Sequence, residues 1–228
     1  MGMTRLIGDI HGKYRSYMDL IAGVEASVQI GDFGIGFAGV CYEEKDRIIN
    51  EHVIATKHRF IRGNHDNPAR CRQMYGYIED GQLENDVMYI GGAWSIDRGR
   101  RCEGVDWWRD EELSYEELDR LIGVVEMMQP RVLITHDGPT SITYENFTKP
   151  RGWTHFKTRT GEAFEEMFQV CKPELHVLGH WHFDMDIIVD GTRFICLNEL
   201  SHIDIDLDNH TGDEKIISWN NFQSAIAS

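Results

Sequence analysis

Five times along this chain a short β-favouring run stops at a small or polar residue and is followed at once by Asp, Asn or His. Leu6-Ile7 ends in Gly8-Asp9-Ile10-His11-Gly12, and Ser27-Val28-Gln29-Ile30 ends in Gly31-Asp32-Phe33-Gly34. His58-Arg59-Phe60-Ile61 leads into Arg62-Gly63-Asn64-His65-Asp66. Arg131-Val132-Leu133-Ile134 closes in Thr135-His136-Asp137-Gly138-Pro139, and Leu175-His176-Val177-Leu178 in Gly179-His180-Trp181-His182. Such runs, bounded by turn residues, read as strands. Between the first two, Tyr17, Leu20, Ile21 and Val24 fall at helical spacing, so residues 14–24 predict a helix and the segment a β-α-β unit. Sheets of that kind hold ligands beyond the carboxyl ends of their strands, which is where all of these polar clusters lie.

The side-chain types point to metal. An Asn carbonyl oxygen is a neutral ligand for a hard or borderline cation. A His beside it, left off the metal, can give a proton to a leaving group. Side chains at i and i+2 of extended backbone point the same way, so Asp9 with His11, and His180 with His182, can act as pairs. Singly, an Asp after Gly is ordinarily a turn residue and a strand-end His a hydrogen-bond donor. Repetition at separate strand ends is what argues for one site. Asp9, His11, Asp32, Asn64, His136, His180 and His182 form a mixed N/O set suited to Mn, Fe, Zn or Ni rather than Ca. That set is too large for one tetrahedral ion and suits two, with one carboxylate bridging. Two ions roughly 3.5–4 Å apart can activate a water and hold both oxygens of an in-line displacement at phosphorus.

Elsewhere the patterns are less specific. Helices are expected over 43–56, 68–74 and 162–170, and Ser114 with Glu117 forms a capping box for a helix running to about Met128. Strands are expected at Val87–Ile90 and Ala93–Ile96 around Gly91-Gly92, and late in the chain at 203–207 and 215–219 with a turn over 209–213. Residues 184–189 and 193–197 predict a hairpin on Asp190-Gly191. Residues 140–160 read as a long polar loop, whose Lys149, Arg151 and Trp153 are among the candidates for a pocket wall. The glycine-rich stretch 34–39 lacks the Lys-Ser or Lys-Thr of a P-loop. Without repeats or a linker, 1–228 is taken as one domain.

Residues 97–110 gather Arg98, Arg101, Trp107 and Trp108 in an acidic chain. Planar guanidinium groups bind phosphate bidentately, and paired Trp rings can stack on a base, so these four are expected to bind substrate. The acidic run 110–112 reads as a solvated face. The net charge of −15, from 23 basic and 38 acidic residues, opposes stable binding to duplex nucleic acid but not to a phosphorylated small molecule or nucleotide. Five cysteines, an odd number without a C-x-x-C, fit structural thiols in a reducing, cytoplasmic setting. No signal peptide or membrane span is expected. Oligomeric state is not readable.

Taken in order, Gly-Asp-Ile-His-Gly (8–12), Gly-Asp-Phe-Gly (31–34), Gly-Asn-His-Asp (63–66), Thr-His-Asp-Gly-Pro (135–139) and Gly-His-Trp-His (179–182) resemble the motifs of the calcineurin-like metallophosphoesterase superfamily. The resemblance implies an α/β fold, a four-layer α/β/β/α sandwich. It implies that Asp9, His11 and His182 hold one divalent ion and Asn64, His136 and His180 a second, with manganese the first expectation. Asp32 would bridge both together with the attacking hydroxide, and His65 would protonate the leaving oxygen. The implied activity is metal-dependent hydrolysis of phosphate monoesters or diesters. Nuclease, cyclic-nucleotide or dinucleoside-polyphosphate phosphodiesterase are the alternatives. The longer Gly-Asp-x-x-Asp-Arg-Gly motif of the protein serine/threonine phosphatases is absent, since 31–37 reads Gly-Asp-Phe-Gly-Ile-Gly-Phe. That argues against such a phosphatase, and the complete ligand set argues against a non-catalytic interaction module.

Overall fold

A computed structural model describes residues 3–37, 57–154, 157–209 and 215–226. Its strands are β1 Met3–Ile7, β2 Ala26–Ile30, β3 Lys57–Ile61, β4 Gln82–Glu84, β5 Val87–Ile90, β6 Val132–Thr135, β7 Leu175–Leu178, β8 Met185–Val189, β9 Thr192–Cys196 and β10 His202–Asp206. The helices are α1 Tyr14–Ile21, α2 Pro68–Cys71, α3 Tyr115–Met128, α4 Thr140–Thr143, α5 Arg159–Cys171 and α6 Trp219–Ile226. One sheet runs β10-β1-β2-β3 and the other β4-β5-β6-β7-β9-β8. The inner strands of each are parallel, and β10, β4 and β8 pair antiparallel at the edges.

Strand alternation decides how these sheets stack. Leu6, Val28, Ile30, Ile61 and Ile203 face inward and meet Val87, Tyr89, Ile134, Val177 and Ile195 of the other sheet. The opposite faces are apolar too, and each takes helices. Ile7 and Phe60 pack on Tyr17, Leu20 and Ile21 of α1, with Trp219 and Phe222 of α6 against the same cluster. Met88, Ile90 and Leu133 pack on Leu118, Leu121 and Val125 of α3 and on Phe164 and Met167 of α5. The result is the expected four-layer α/β/β/α arrangement. Burying each such Leu or Ile contributes roughly 1.5–3 kcal/mol before the cost of chain ordering. The expected capping box starts α3: Ser114 Oγ accepts from the Glu117 amide at 3.2 Å, and the Glu117 carboxylate accepts from the Ser114 amide at 2.8 Å. Among the described residues no helix is long and apolar enough to cross a membrane.

Several expectations are corrected. Ala93–Ile96 is not a strand. β5 instead pairs back with β4 through Asn85-Asp86, both at positive φ, while 91–97 leaves the sheet and crosses toward the end of β3, its Gly92 amide donating to the Arg62 carbonyl. The 140–160 segment contains α4, a π-turn over Tyr144–Thr148 and a 3₁₀ turn at Lys149–Arg151. Its buried Ile142 and Phe147 supply the apolar anchors that its polar composition hides. Residues 215–219 make only an isolated bridge, Ile217 to His202, before α6 begins at Trp219. The short helix at Pro68 stops at Cys71 rather than Met74. The acidic run is solvated only at Asp110; Glu111 and Glu112 are buried. Cys71, Cys171 and Cys196 are buried free thiols and Cys102 is exposed. Cys41, the expected helix over 43–56 and residues 210–213 of the expected turn lie outside the described residues.

Candidate metal centre

Each cluster sits at the carboxyl end of its strand, and the two sheets bring those ends together. Two groups result, Asp9, His11, Asp32 and His182, and Asp32, His136 and His180, each with ligand atoms within 4.8 Å of one another. Asp32 belongs to both. Asn64 joins the second group, its Oδ1 3.2 Å from His136 Nε2. In the first, the Nε2 atoms of His11 and His182 approach to 2.9 Å, and His182 Nε2 lies 3.0 Å from Asp9 Oδ2. In the second, His136 Nε2 lies 3.3 Å from Asp32 Oδ1.

The motif glycines make this convergence possible. A Cβ on Gly63 would overlap the carboxylate and backbone of Asp32, and one on Gly31, at φ +102°, would overlap the His136 ring. Four of the clustered residues are themselves held at positive φ, at values of 45° for His11, 55° for Asp32, 65° for His180 and 51° for His182. Non-glycine residues rarely adopt that conformation, and it concentrates at functional sites. Asp66, the last residue of the third motif, is structural. Its carboxylate accepts from the amides of Phe33, Gly34, Ile35 and Gly63 at 2.7–3.1 Å and so ties the second motif to the third.

The electrostatics of the cluster suit a cation. Asp9 Oδ2 is fully buried and accepts no well-formed hydrogen bond. Burial raises the pKa of Asp32, yet His136, His65 and His11 overcome this and hold it well below the usual carboxylate range. Burial lowers His136, but the Asp32 and Asp9 carboxylates and the Ile30 carbonyl push it up to about 10. A proton on His136 thus offsets acidic charge at a position a metal ion would fill. His136 Nδ1 faces the Ile30 carbonyl at 2.9 Å, a contact that turns Nε2 inward in the manner of a metal-binding imidazole. Buried carboxylates, inward imidazoles and an amide oxygen make this donor set fit divalent ions.

His65 stands beside both groups. Its ring stacks on Phe37 at 5.1 Å, Nδ1 lies 3.9 Å from Asp32 Oδ2, and Nε2 lies 2.8 Å from Arg101 Nη2. Burial, aided by Arg101 and His11 against Asp32, lowers its pKa to about 4. Arg101 is anchored by Asp97, whose two oxygens accept at 2.7 Å each.

Next to the cluster opens a cavity of about 640 Å³, lined by Asp32, Asn64, His65, His180 and His182 and walled by Trp94, Ile96, Arg101, Arg151, Trp153 and Trp181. Of the residues expected to bind substrate, Arg101 therefore reaches it. Arg98 does not line it and sits over the Trp94 ring at 4.9 Å. Trp107 and Trp108 do not line it either, and Trp108 is buried with its ring 6.3 Å from Phe37. Arg151 does line it, whereas Lys149 pairs with Glu145 outside. Trp153, a candidate for the wall, lines it as expected, whereas Trp94, Ser95 and Phe37 carry no such expectation from the sequence. Phe37 follows just after the second motif; the other two carry no motif.

No curated protein matches the chain significantly in sequence. Among solved structures it is similar to a Thermotoga maritima protein at 13% identity, covering 96% of this chain and 99% of that one, with a TM-score of 0.45. It is similar to a phosphopantetheinyl hydrolase of Mycobacterium tuberculosis at 16% identity, covering 87% of this chain and 90% of the other, with a TM-score of 0.47. A hypothetical protein of Pyrococcus horikoshii is 12% identical over 100% of this chain and 93% of its own, with a TM-score of 0.43. The profile of the calcineurin-like phosphoesterase family matches residues 5–184, a span that holds all five motifs and both His/Asp groups, and the chain belongs to that family of metal-dependent phosphoester hydrolases.

Proposed function

We propose that this chain hydrolyses phosphate esters at a dinuclear centre, with Asp9, His11 and His182 holding one divalent ion, Asn64, His136 and His180 the other, and Asp32 bridging. The observation that carries this reading is the membership of Asp32 in both side-chain groups. When bound, two such ions would supply Lewis acidity that activates water and offsets charge on the phosphoryl oxygens. Manganese is the ion of choice for a first test.

The protein's own residues do the rest. Arg101 is donor-only, so in this arrangement His65 Nε2 accepts from it and the neutral ring carries its proton on Nδ1. A phosphoryl oxygen in the cavity would compete for the Arg101 donor, freeing Nε2 to take a proton from solvent and pass it to the leaving oxygen. Phe37 keeps the ring in plane during that exchange, and Asp97 keeps the guanidinium aimed. The Trp94, Trp153 and Trp181 walls favour an ester whose leaving group carries a flat ring, of nucleotide size, since about 640 Å³ is in the range of sites for such ligands. Small-molecule esters and nucleotides are therefore preferred over duplex nucleic acid, which the charge of −15 opposes.

The test is turnover of a panel of aryl monoesters, aryl diesters, cyclic nucleotides and dinucleoside polyphosphates with Mn²⁺. His65→Asn is expected to keep its metal and lose about 10²–10⁴-fold in rate. Inertness of the metal-loaded protein on the whole panel, or undiminished turnover by the variant, would sink the proposal.

A further inference from the structure

We propose that Glu111 and Ser95 are positioning residues that decide which end of the Asn64 amide faces the metal centre. The inference rests on the two-metal reading above. An Asn side chain offers an acceptor oxygen on one side and a donor NH₂ on the other. Only the oxygen can bind a cation, and the two orientations have nearly the same shape. Something must choose between them.

The choice is made behind the site. Asn64 Nδ2 donates to Ser95 Oγ at 2.9 Å, and Ser95 Oγ donates to Glu111 Oε2 at 2.6 Å. The Ser95 amide donates to the other carboxylate oxygen, Oε1, at 3.0 Å. Ser95 and Glu111 are both buried. Both Glu111 oxygens thus accept from Ser95, as an ionised carboxylate does, and 2.6 Å lies within the range of such a charge-assisted bond. An ionised carboxylate only accepts, so the Ser95 proton must point at Glu111. The lone pairs of Ser95 then face Asn64 and require a donor there. The amide nitrogen takes that place, and Oδ1 is left pointing at His136 Nε2 and the second group. Polarity thus runs one way along the relay, from an acceptor-only residue to an oriented ligand.

Glu111 is itself held by the third motif. The fully buried Arg62 donates through Nη1 to the carbonyls of Asp110 at 3.0 Å and Glu111 at 2.8 Å, and through Nε to Asp80 at 2.9 Å. Arg62 and Asn64 are two residues apart, so the strand end that presents the ligand also fastens the backbone of the residue whose carboxylate orients it. The neighbouring Glu112 is equally buried but accepts from the Thr160 amide and hydroxyl, away from the centre, and serves as an internal control.

The experiment uses isosteric changes. In Glu111→Gln the Ser95 amide still demands an acceptor, which places the Gln oxygen at the Oε1 position and its NH₂ against Ser95 Oγ. The Ser95 proton must then find another acceptor, and Asn64 supplies one by turning over, with NH₂ toward the metal. Mn²⁺ titration calorimetry, with elemental analysis after desalting, should show two ions per wild-type chain. Glu111→Gln should weaken one of them about 10–100-fold, the usual scale for a partner behind a ligand, and Glu112→Gln should leave both unchanged. Ser95→Ala merely frees the amide, so it should cost less than Glu111→Gln, and the double variant should return to the Ser95→Ala level. That rescue is the signature of a polarity relay, because a merely structural defect would add rather than cancel. Wild-type chain that binds fewer than two ions would defeat the two-metal reading. Two ions held equally tightly by wild type and Glu111→Gln, or a double variant worse than either single one, would defeat the relay.

Discussion

His182 and His11 stand at the rim of the centre, with 47% and 20% of their side-chain surface exposed; their rings meet, His11 also meets His65, and His182 reaches inward to Asp9. His136, on the other side, and the shared Asp32 are buried to within 2%. His136 is fastened from behind by the Ile30 carbonyl, Asn64 by Ser95, and Asp32 by the His65 amide, which donates to its Oδ1 at 2.7 Å. One half of the proposed centre is therefore the more firmly prearranged, since in the other only Asp9 is fully buried. Prearranged ligands lose less freedom on binding. The inner ion should bind first and leave last.

The strongest way to break this comparison is at the residue common to both halves. Asp32→Ala should release both ions and cut turnover on the order of 10⁴-fold, the scale of losing one member of an interdependent catalytic group. Retention of either ion on elemental analysis would show that the halves are independent. The next step sets one half against the other. His136→Ala should cost about 2–4 kcal/mol of metal-free stability in denaturant titrations, from a buried void and the exposed demand of Asp32. His182→Ala, half in solvent, should cost about 1 kcal/mol or less. Equal losses would mean that the rim is as integral as the interior.

Arg101→Ala should leave both halves intact and raise KM by roughly 10–100-fold, the worth of a charged hydrogen bond, with metal content unchanged. A fall in metal binding would move Arg101 from substrate to scaffold. The effect that is smallest at neutral pH lies away from both halves. His176 is buried among Phe164 and Phe194, and burial lowers its pKa to about 3. Below pH 6.5 the unfolded chain takes up a proton there that the folded chain refuses, so stability is full above 6.5 and declines as pH falls toward 3. The decline reaches about 1.4 kcal/mol for each pH unit. His176→Phe should remove that share of the acid sensitivity, as read from melting temperature against pH.

Much of the centre was legible because its parts are local. Glycine followed by Asp, Asn or His marks a strand end wherever the fold later puts it, and Ser114 with Glu117 needs only a helix turn to act. What failed to show were residues whose partners are far away in the chain. Glu111 and Glu112 look like solvated acids until Ser95, 16 residues off, and Thr160, 48 residues off, close on them. Ala93–Ile96 has the apolar look of a strand because Ala93 is buried, but Ser95 is claimed by Asn64 and Glu111 rather than by a neighbouring strand. Trp94 lines a cavity that no local pattern around it announces.

The left-handed backbone at His11, Asp32, His180 and His182 has a consequence for how such a chain changes over generations. Glycine is at ease in that conformation, whereas histidine adopts it only at a cost. A population selected only for solubility and folding would drift toward glycine at 11, 180 and 182, gaining thermal robustness as it went. Histidine persists there only while an ion rewards it, so a lineage that abandons hydrolysis should reveal itself first at these positions, before its hydrophobic interior changes at all.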